Sequence, residues 1–290
     1  MKTTALSPEL RFILARKSVD DRAINRYVFG ILAREIARRP ADTPSVRILD
    51  IHGQAGVMLT RLLEWRLFER ARYTQLTGDT PPDIILHWWR MWCKTWNTTP
   101  EQKKENVFIL RQGSRRARVR LRPEDITACL SDLHPTRYDL IIAHDTPALP
   151  DILPGLLPAL KPGGFLYATA NLNGLPHFSP AMPQDDLLQD LTGQYAAGRR
   201  LIPALRENGL RLFAIGASDA IIHPDHTGAY PGDEAFYLHS RITQLADVLR
   251  TTDAPPDALQ TWLSARQQHL QTGSLYLFAP QYDLLAQKEI

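Results

Sequence analysis

The 290 residues contain only two cysteines, Cys93 and Cys129, and their spacing matches no metal-ligand or redox motif. That excludes a disulfide framework and a C-x-x-C centre, and leads us to expect two free thiols in a reducing compartment. No uncharged apolar run approaches the roughly 18 residues that cross a bilayer. The start, Met1-Lys2-Thr3-Thr4-Ala5-Leu6-Ser7-Pro8-Glu9, lacks the apolar centre of a secretory signal. A soluble, cytoplasmic chain with no membrane partner is therefore expected. The net charge is only +3, too small an excess to diagnose a polyanionic partner. Internal repeats and low-complexity tracts are missing, and so is the dinucleotide fingerprint G-x-G-x-x-G.

What is present is ordinary in bulk: 44% apolar and 22% charged residues suit one elaborated α/β domain, or a core domain with a small extra lobe. Residues 7–39 read as one or two helices, because Ala23, Tyr27, Val28, Ile31, Leu32 and Ile36 recur at helical spacing. We expect residues 1–40 to form an N-terminal helical cap and 41–290 the main domain. From 46 onward strand and helix patterns alternate. Strand 46–51 leads to helix 57–71, strand 72–78 to helix 82–97, and strand 106–112 to a short helix near 124–131. Strand 138–143 precedes helix 149–160, and strand 164–170 precedes a long helix around 184–207. Strand 210–216, extended by 219–223, is followed by helices 233–250 and 256–271 and a last strand at 273–279. Such alternation predicts a doubly wound, seven-stranded, mostly parallel sheet with helical additions at both ends.

The most informative stretch is Val46-Arg47-Ile48-Leu49-Asp50-Ile51-His52-Gly53-Gln54-Ala55-Gly56. An apolar strand ends at an acid, turns through small residues and enters an amphipathic helix, which is how a helix N-terminus and backbone N–H groups come to cradle a polar ligand. A second stretch lies about 90 residues on: Tyr138-Asp139-Leu140-Ile141-Ile142-Ala143-His144-Asp145, then Leu160-Lys161-Pro162-Gly163-Gly164-Phe165-Leu166-Tyr167. Together these segments resemble the class I S-adenosylmethionine (SAM)-dependent methyltransferases. The long interval from Asp50 to Asp79 and the Arg72-Tyr73-Thr74 entry are similar to the methyltransferase domains of polyketide synthases. The turn Gly228-Ala229-Tyr230-Pro231 followed by Asp233-Glu234-Ala235 resembles bacterial methyltransferases of undefined substrate.

The resemblance implies a Rossmann-like methyltransferase fold, with a last strand inserted antiparallel beside the sixth, and SAM as cofactor. It implies that Asp50, His52, Gly53 and Gly56 line the cofactor loop, although His52 and Gln54 stand where the family has glycines. It also implies that Asp79 accepts from the ribose hydroxyls, that Asp125 and Ile126 meet the adenine, and that His144 lies beside the reacting groups. His144 could act as a general base, since an imidazole titrates near neutrality. Each residue also has a plain structural reading: Asp50, Asp79 and Asp125 as helix caps, His144 as a packing residue.

For the acceptor, taken to be a small organic molecule, Tyr27, Asn171 (with Leu172-Asn173-Gly174) and Tyr230 are the candidates. Trp88, Trp92 and Trp96 share one helical face, which suits a core contact or the interface of a homodimer. Arg111, Arg115, Arg116, Arg118, Arg120 and Arg122 crowd twelve residues without an acid, a pattern that would fit an RNA methyltransferase. The near-balanced remainder of the chain weighs against a nucleic-acid partner, and a solvated edge strand protected by charge accounts for the run equally well. A non-catalytic methyltransferase-like SAM-binding protein, and aminopropyl transfer, complete the alternatives.

Overall fold

In the computed structural model of the chain, residues 6–40, 45–172, 175–188 and 197–289 are described. They divide into two compact units. The larger comprises Asn25–Ala170, Arg200–Gly216 and Asp283–Ile290; the smaller comprises Met1–Ile24, Asn171–Arg199 and Ala217–Tyr282.

The helix pair expected over 1–40 is shared between them. Helix α1 (Pro8–Ala23) belongs to the smaller unit and α2 (Arg26–Ala37) to the larger. Both have side-chain caps: Ser7 accepts from the Leu10 N–H, and Asn25 from the Val28 N–H. Asn25 also donates its backbone N–H to Asp283 Oδ2 at 2.8 Å, so the first turn of α2 is tied to the last strand of its own unit. Val28, Phe29, Ile31, Leu32 and Ile36 give α2 one buried face.

The larger unit carries a sheet built from β1 (Val46–Asp50), β2 (Arg70–Leu76), β3 (Glu101–Lys104), β4 (Val107–Gln112), β5 (Arg115–Arg122), β6 (Tyr138–His144) and β7 (Leu160–Asn171). Two late strands, β9 (Leu210–Ala217) and β12 (Gln281–Lys288), complete it. The spatial order is β3-β4-β5-β2-β1-β6-β7-β12-β9, and β5-β2-β1-β6-β7 is a contiguous parallel block. The architecture is thus the Rossmann-like α/β one expected, with two extra strands at one edge. The intervening helices are α3 (Val57–Glu64), α4 (Pro82–Thr95), α5 (Ile126–Cys129), α6 (Leu149–Leu156) and α7 (Ala197–Glu207).

Several boundaries differ from expectation, each for a local reason. Strand 106–112 was expected to be the third parallel strand, but β5 takes that place. β4 pairs antiparallel with β5 through the two-residue turn Gly113-Ser114, where Gly113 has φ 57°. The arginine run is therefore no edge strand: β5 is paired on both sides, and β3 closes that end of the sheet. Similarly, the strand inserted beside β9 is β12, while the expected segment 273–279 contributes to a separate small sheet. Helix α3 stops at Glu64 because Arg66 turns into the left-handed region, φ 59°. The long helix expected over 184–207 resolves into a 3-10 segment at Pro183–Leu188 and α7; the part over 189–196 lies outside the described residues.

The smaller unit packs α1, α8 (Glu234–Leu249) and α9 (Pro256–Gln271) around a three-stranded sheet of β8 (His177–Ser179), β10 (Ala220–Ile222) and β11 (Tyr276–Ala279), in the order β10-β11-β8. Trp262, Leu238, Ile242, Ala246, Leu275 and Ile222 form its core. Inside it the buried Arg266 bonds both Asp185 oxygens at 2.5 Å and the Pro180 carbonyl at 2.6 Å, so the guanidinium is satisfied on two sides. Among the described residues no helix is long and apolar enough to cross a membrane.

Candidate functional site

Chain order and sheet order diverge at one place. From β1 the chain steps outward through β2 to β5, then returns to β6 on the other side of β1 and continues to β7. This reversal between β1 and β6 is the topological switch point, where open α/β sheets bind ligands beyond their carboxyl ends. The segments at those ends are Asp50 with the loop to Gly56, Thr77–Asp79, Asp125, and His144-Asp145. Asp50 and His144 end β1 and β6, Asp79 follows β2, and Asp125 follows β5 rather than the strand expected over 106–112.

Asp50 is completely buried. Its Oδ2 accepts from the Tyr73 hydroxyl at 2.5 Å and its Oδ1 from the His52 N–H at 3.3 Å. Desolvation raises its pKa to about 6, against the opposing pull of the Tyr73 and His52 hydrogen bonds and of nearby His144 and Arg61. Burial also drives the Tyr73 phenol well above its ordinary value, aided by the Asp50 charge, so Tyr73 is the donor. Asp50 thus fixes strand β2 to β1 and the first residue of the loop to both. The His52 side chain is exposed.

The loop turns through two left-handed residues, Ala55 (φ 46°, ψ 18°) and Gly56 (φ 74°, ψ 20°). Its glycines face the chain's own side chains. A Cβ on Gly53 would sit 2.2 Å from Gln75 Cγ, and one on Gly56 2.3 Å from Trp89 Nε1. Gln75 Nε2 donates to the Gly53 carbonyl at 3.2 Å, and Trp89 Nε1 to the Gly56 carbonyl at 3.4 Å. Trp89 itself is buried edge-to-face on Phe108, so α4 braces the loop.

At the end of β2 the sequence reading missed two residues. Gln75 Oε1 and Thr77 Oγ1 are buried without a hydrogen-bond partner, although the Thr77 N–H holds the Arg122 carbonyl at 2.8 Å and so keeps β2 and β5 aligned. Buried polar atoms are normally satisfied, which makes this pair the unmet polar demand of the site. The signal was available: Tyr73, Gln75 and Thr77 alternate onto one buried face of a strand whose other face begins with the exposed Arg70 and Arg72. Asp79 follows on an exposed turn after Gly78, φ 49°.

Asp125 caps α5, accepting from the Ala128 N–H and the Thr127 hydroxyl at 2.7 Å each, and these bonds hold its carboxyl below the usual range. Its neighbour Ile126 is half-buried. His144 is buried, with Nδ1 2.8 Å from Thr169 Oγ1. The same hydroxyl accepts the Asp145 N–H at 2.9 Å, and Asp145 is left-handed at φ 48°. A hydroxyl has one proton and two acceptor lone pairs, so Thr169 Oγ1 can hold the Asp145 N–H and either donate to Nδ1 or accept an Nδ1–H. Of the acceptor candidates, Tyr27 lies in the first turn of α2 and is 67% exposed. Asn171 and Tyr230 belong to the smaller unit. The Tyr230 hydroxyl is engaged by one residue, donating to the Leu275 carbonyl at 2.9 Å and accepting the Leu275 N–H at 3.1 Å.

No protein-family model matches the chain, and no curated protein does. Solved structures resemble it at low identity. A SAM-dependent methyltransferase from Geobacter sulfurreducens, in complex with S-adenosyl-L-homocysteine, is 11% identical over 91% of this chain and 92% of that one, with a TM-score of 0.45. The corresponding enzyme from Thiobacillus denitrificans, with the same ligand, is 8% identical over 90% and 92%, TM-score 0.45. The 4+2 cyclase SpnF is 15% identical over 99% and 98%, TM-score 0.45. SAM-dependent methyltransferases recur among the structures it resembles, and at these scores the likeness is distant.

Proposed function

We propose that this chain is a SAM-dependent methyltransferase acting on an O, N or C nucleophile of a small organic molecule. The observation that carries the reading is the switch point between β1 and β6, which gathers Asp50, Asp79, Asp125 and His144 at the carboxyl ends of one parallel block. The donor set fits the cofactor. A diol needs acceptors, and Asp79 offers a solvent-facing carboxylate; adenosine and amino-acid groups need polar partners, and Gln75 Oε1 and Thr77 Oγ1 lack them. The glycines fit less directly, because Gln75 and Trp89 already occupy the approach to Gly53 and Gly56.

The cofactor, when bound, supplies an electrophilic methyl group on a sulfonium. Asp79 would hold the ribose hydroxyls, and Gln75 and Thr77 the polar groups beside them. Asp50 keeps the loop in place and sets a buried negative charge near a cationic ligand. In the tautomer that donates Nδ1–H to Thr169 Oγ1, His144 would carry its lone pair on Nε2 and could take the proton of an O–H or N–H acceptor there. The remainder of the rate enhancement is alignment of acceptor and methyl. Calorimetry of the full chain with SAM and with S-adenosylhomocysteine tests the reading: micromolar binding of either is expected, and no heat with both overturns it.

A further inference from the structure

The crossover between β5 and β6 has only the four-residue α5 and one 3-10 turn, too little to cover the sheet it crosses. Helix α4 lies on the opposite face, where Trp89 meets Phe108, and Phe108, Val119, Tyr73 and Ile48 form one buried row across four strands. On the other side the arginine positions of the same strands are left open, while Leu49, Leu76 and Val107 at its margin are buried. Register sets Arg47 beside Arg72 beside Arg118, and Arg70 beside Arg116 beside Arg111, with Arg120 beside Thr74. All seven arginines are exposed.

Among the described residues, several acids beside this face are already paired with cations outside the unpaired set. Glu101 pairs with Lys103 and, at 3.7 Å, with Arg111. Glu69 pairs with Arg115 at 3.0 Å, and Glu124 and Asp132 with Arg122 at 3.3 and 4.0 Å. Among the described residues, Arg47, Arg70, Arg72, Arg116, Arg118 and Arg120 carry no ion pair. Like charges directly opposite each other destabilise a sheet, so six uncompensated guanidinium groups in adjacent register call for an external anion.

We propose that this open face of β1, β2, β5 and β4 binds the phosphodiester backbone of a nucleic acid. From Arg116 to Arg120 the grid runs about 13 Å along the strand and spans neighbouring strands about 4.8 Å apart, more than one phosphate fills. Every cation in it is an arginine, whose planar fork matches phosphate oxygens two at a time. The uncharged positions on this side, Leu49, Thr74, Leu76, Val107 and Ile109, are half-buried or buried, so no apolar side chain stands out to enter an acyl layer, as a membrane-surface site requires. The proposal is independent of the cofactor reading, because the face is complete without a ligand at the switch point.

Fluorescence anisotropy of the full chain with labelled oligo(U) and oligo(dT) tests it. Engaging four to six phosphates should give a slope of log affinity against log salt of roughly −3 to −4, hence about 100-fold weaker binding at 200 mM than at 50 mM salt. The variant R72Q/R116Q/R118Q/R120Q should bind at least about 100-fold more weakly at 50 mM and reduce the slope by about 3. R38Q/R90Q/R206Q/R250Q removes the same charge elsewhere and should change little. Arg118→Glu alone, one exposed side chain, gives the same direction should the fourfold variant melt early. Equal affinity for both oligonucleotides supports recognition of the backbone itself, and preference for oligo(U) supports RNA as its source. No binding at 50 mM salt overturns the proposal, as do equal losses in the two fourfold variants, or sedimentation with phosphatidylserine vesicles without oligonucleotide binding.

Discussion

Replacing Asp50 by Asn should stabilise the protein at neutral pH and lose that advantage in acid. Asp50 is fully buried and its pKa is raised to about 6 from 3.8 by desolvation. A folded value above the unfolded one means that this carboxyl contributes stability fully present below pH 4 and lost as the pH rises through 6. The shift of about two units corresponds to roughly 3 kcal/mol forfeited above pH 7. Asparagine keeps the shape and an acceptor for the Tyr73 hydroxyl or the His52 N–H, and removes the buried charge. In urea titrations followed by tryptophan fluorescence, the variant should therefore exceed the parent by up to about 3 kcal/mol at pH 7.5, with the gap shrinking steadily towards pH 4. Five of the six tryptophans, Trp65, Trp88, Trp89, Trp92 and Trp96, lie in the larger unit and report on its unfolding. A variant less stable than the parent at pH 7.5, or a gap that ignores pH, would refute the reasoning and mean that the neighbouring cations hold Asp50 ionised without cost. The same variant should bind SAM more weakly, because the charge set against a cationic ligand is gone.

Asp79→Ala should weaken SAM binding about 10- to 100-fold by calorimetry, the range for lost hydrogen bonds to a charged group, while leaving the melting temperature unchanged; unaltered affinity would remove the ribose assignment. Gly56→Ala combines a left-handed backbone with a Cβ 2.3 Å from Trp89 Nε1, so a loss of about 2 kcal/mol or more is expected, visible as altered tryptophan emission before unfolding. In the smaller unit, Asp185→Ala strands the buried Arg266 guanidinium and should cost about 3 kcal/mol. Fluorescence of Trp262, whose indole N–H also bonds Asp185 at 2.9 Å, should report the change; an unshifted unfolding midpoint would show that Arg266 finds water instead.

Much of the parallel block was legible because its strands are buried on both faces or alternate cleanly. Tyr138–His144 is buried throughout, and the unbroken apolar run Leu140-Ile141-Ile142-Ala143 inside it is the mark of a central strand. The third parallel strand was misplaced although its pattern was equally plain: Arg116, Arg118 and Arg120 alternate with Ala117, Val119 and Leu121, which is the period of a strand covered on one face only. Charge density masked that period, and the Gly113-Ser114 turn that separates β4 from β5 was read through. The division of the N-terminal helices between two units had no sequence signal beyond Asn25, a cap residue in mid-segment. At the end of β2 the alternation of Tyr73, Gln75 and Thr77 marks a buried face, but the orphaned atoms on Gln75 and Thr77 appear only once the strand's neighbours are known.

The loop after β1 shows why the glycine pattern alone could not decide the site. In a ligand cradle a glycine is needed where a ligand approaches the backbone; here Gly53 and Gly56 are needed because Gln75 and Trp89 approach it. Both requirements select the same residue, so glycine at these positions says that something is close without saying what. What distinguishes the two is the polar balance. A loop packed only for stability would leave its bracing side chains satisfied, yet Gln75 spends its amide on Gly53 while its carbonyl oxygen remains buried and unmet. Beside it an acid is held at about pH 6 by desolvation. An unsatisfied acceptor and a costly buried charge, side by side at a switch point, are stability given up in one place. Buried unpartnered atoms occur elsewhere too, Gln112 Oε1 and Ser218 Oγ among them; what marks this place is the raised carboxyl beside one, and a polar, cationic ligand would satisfy both.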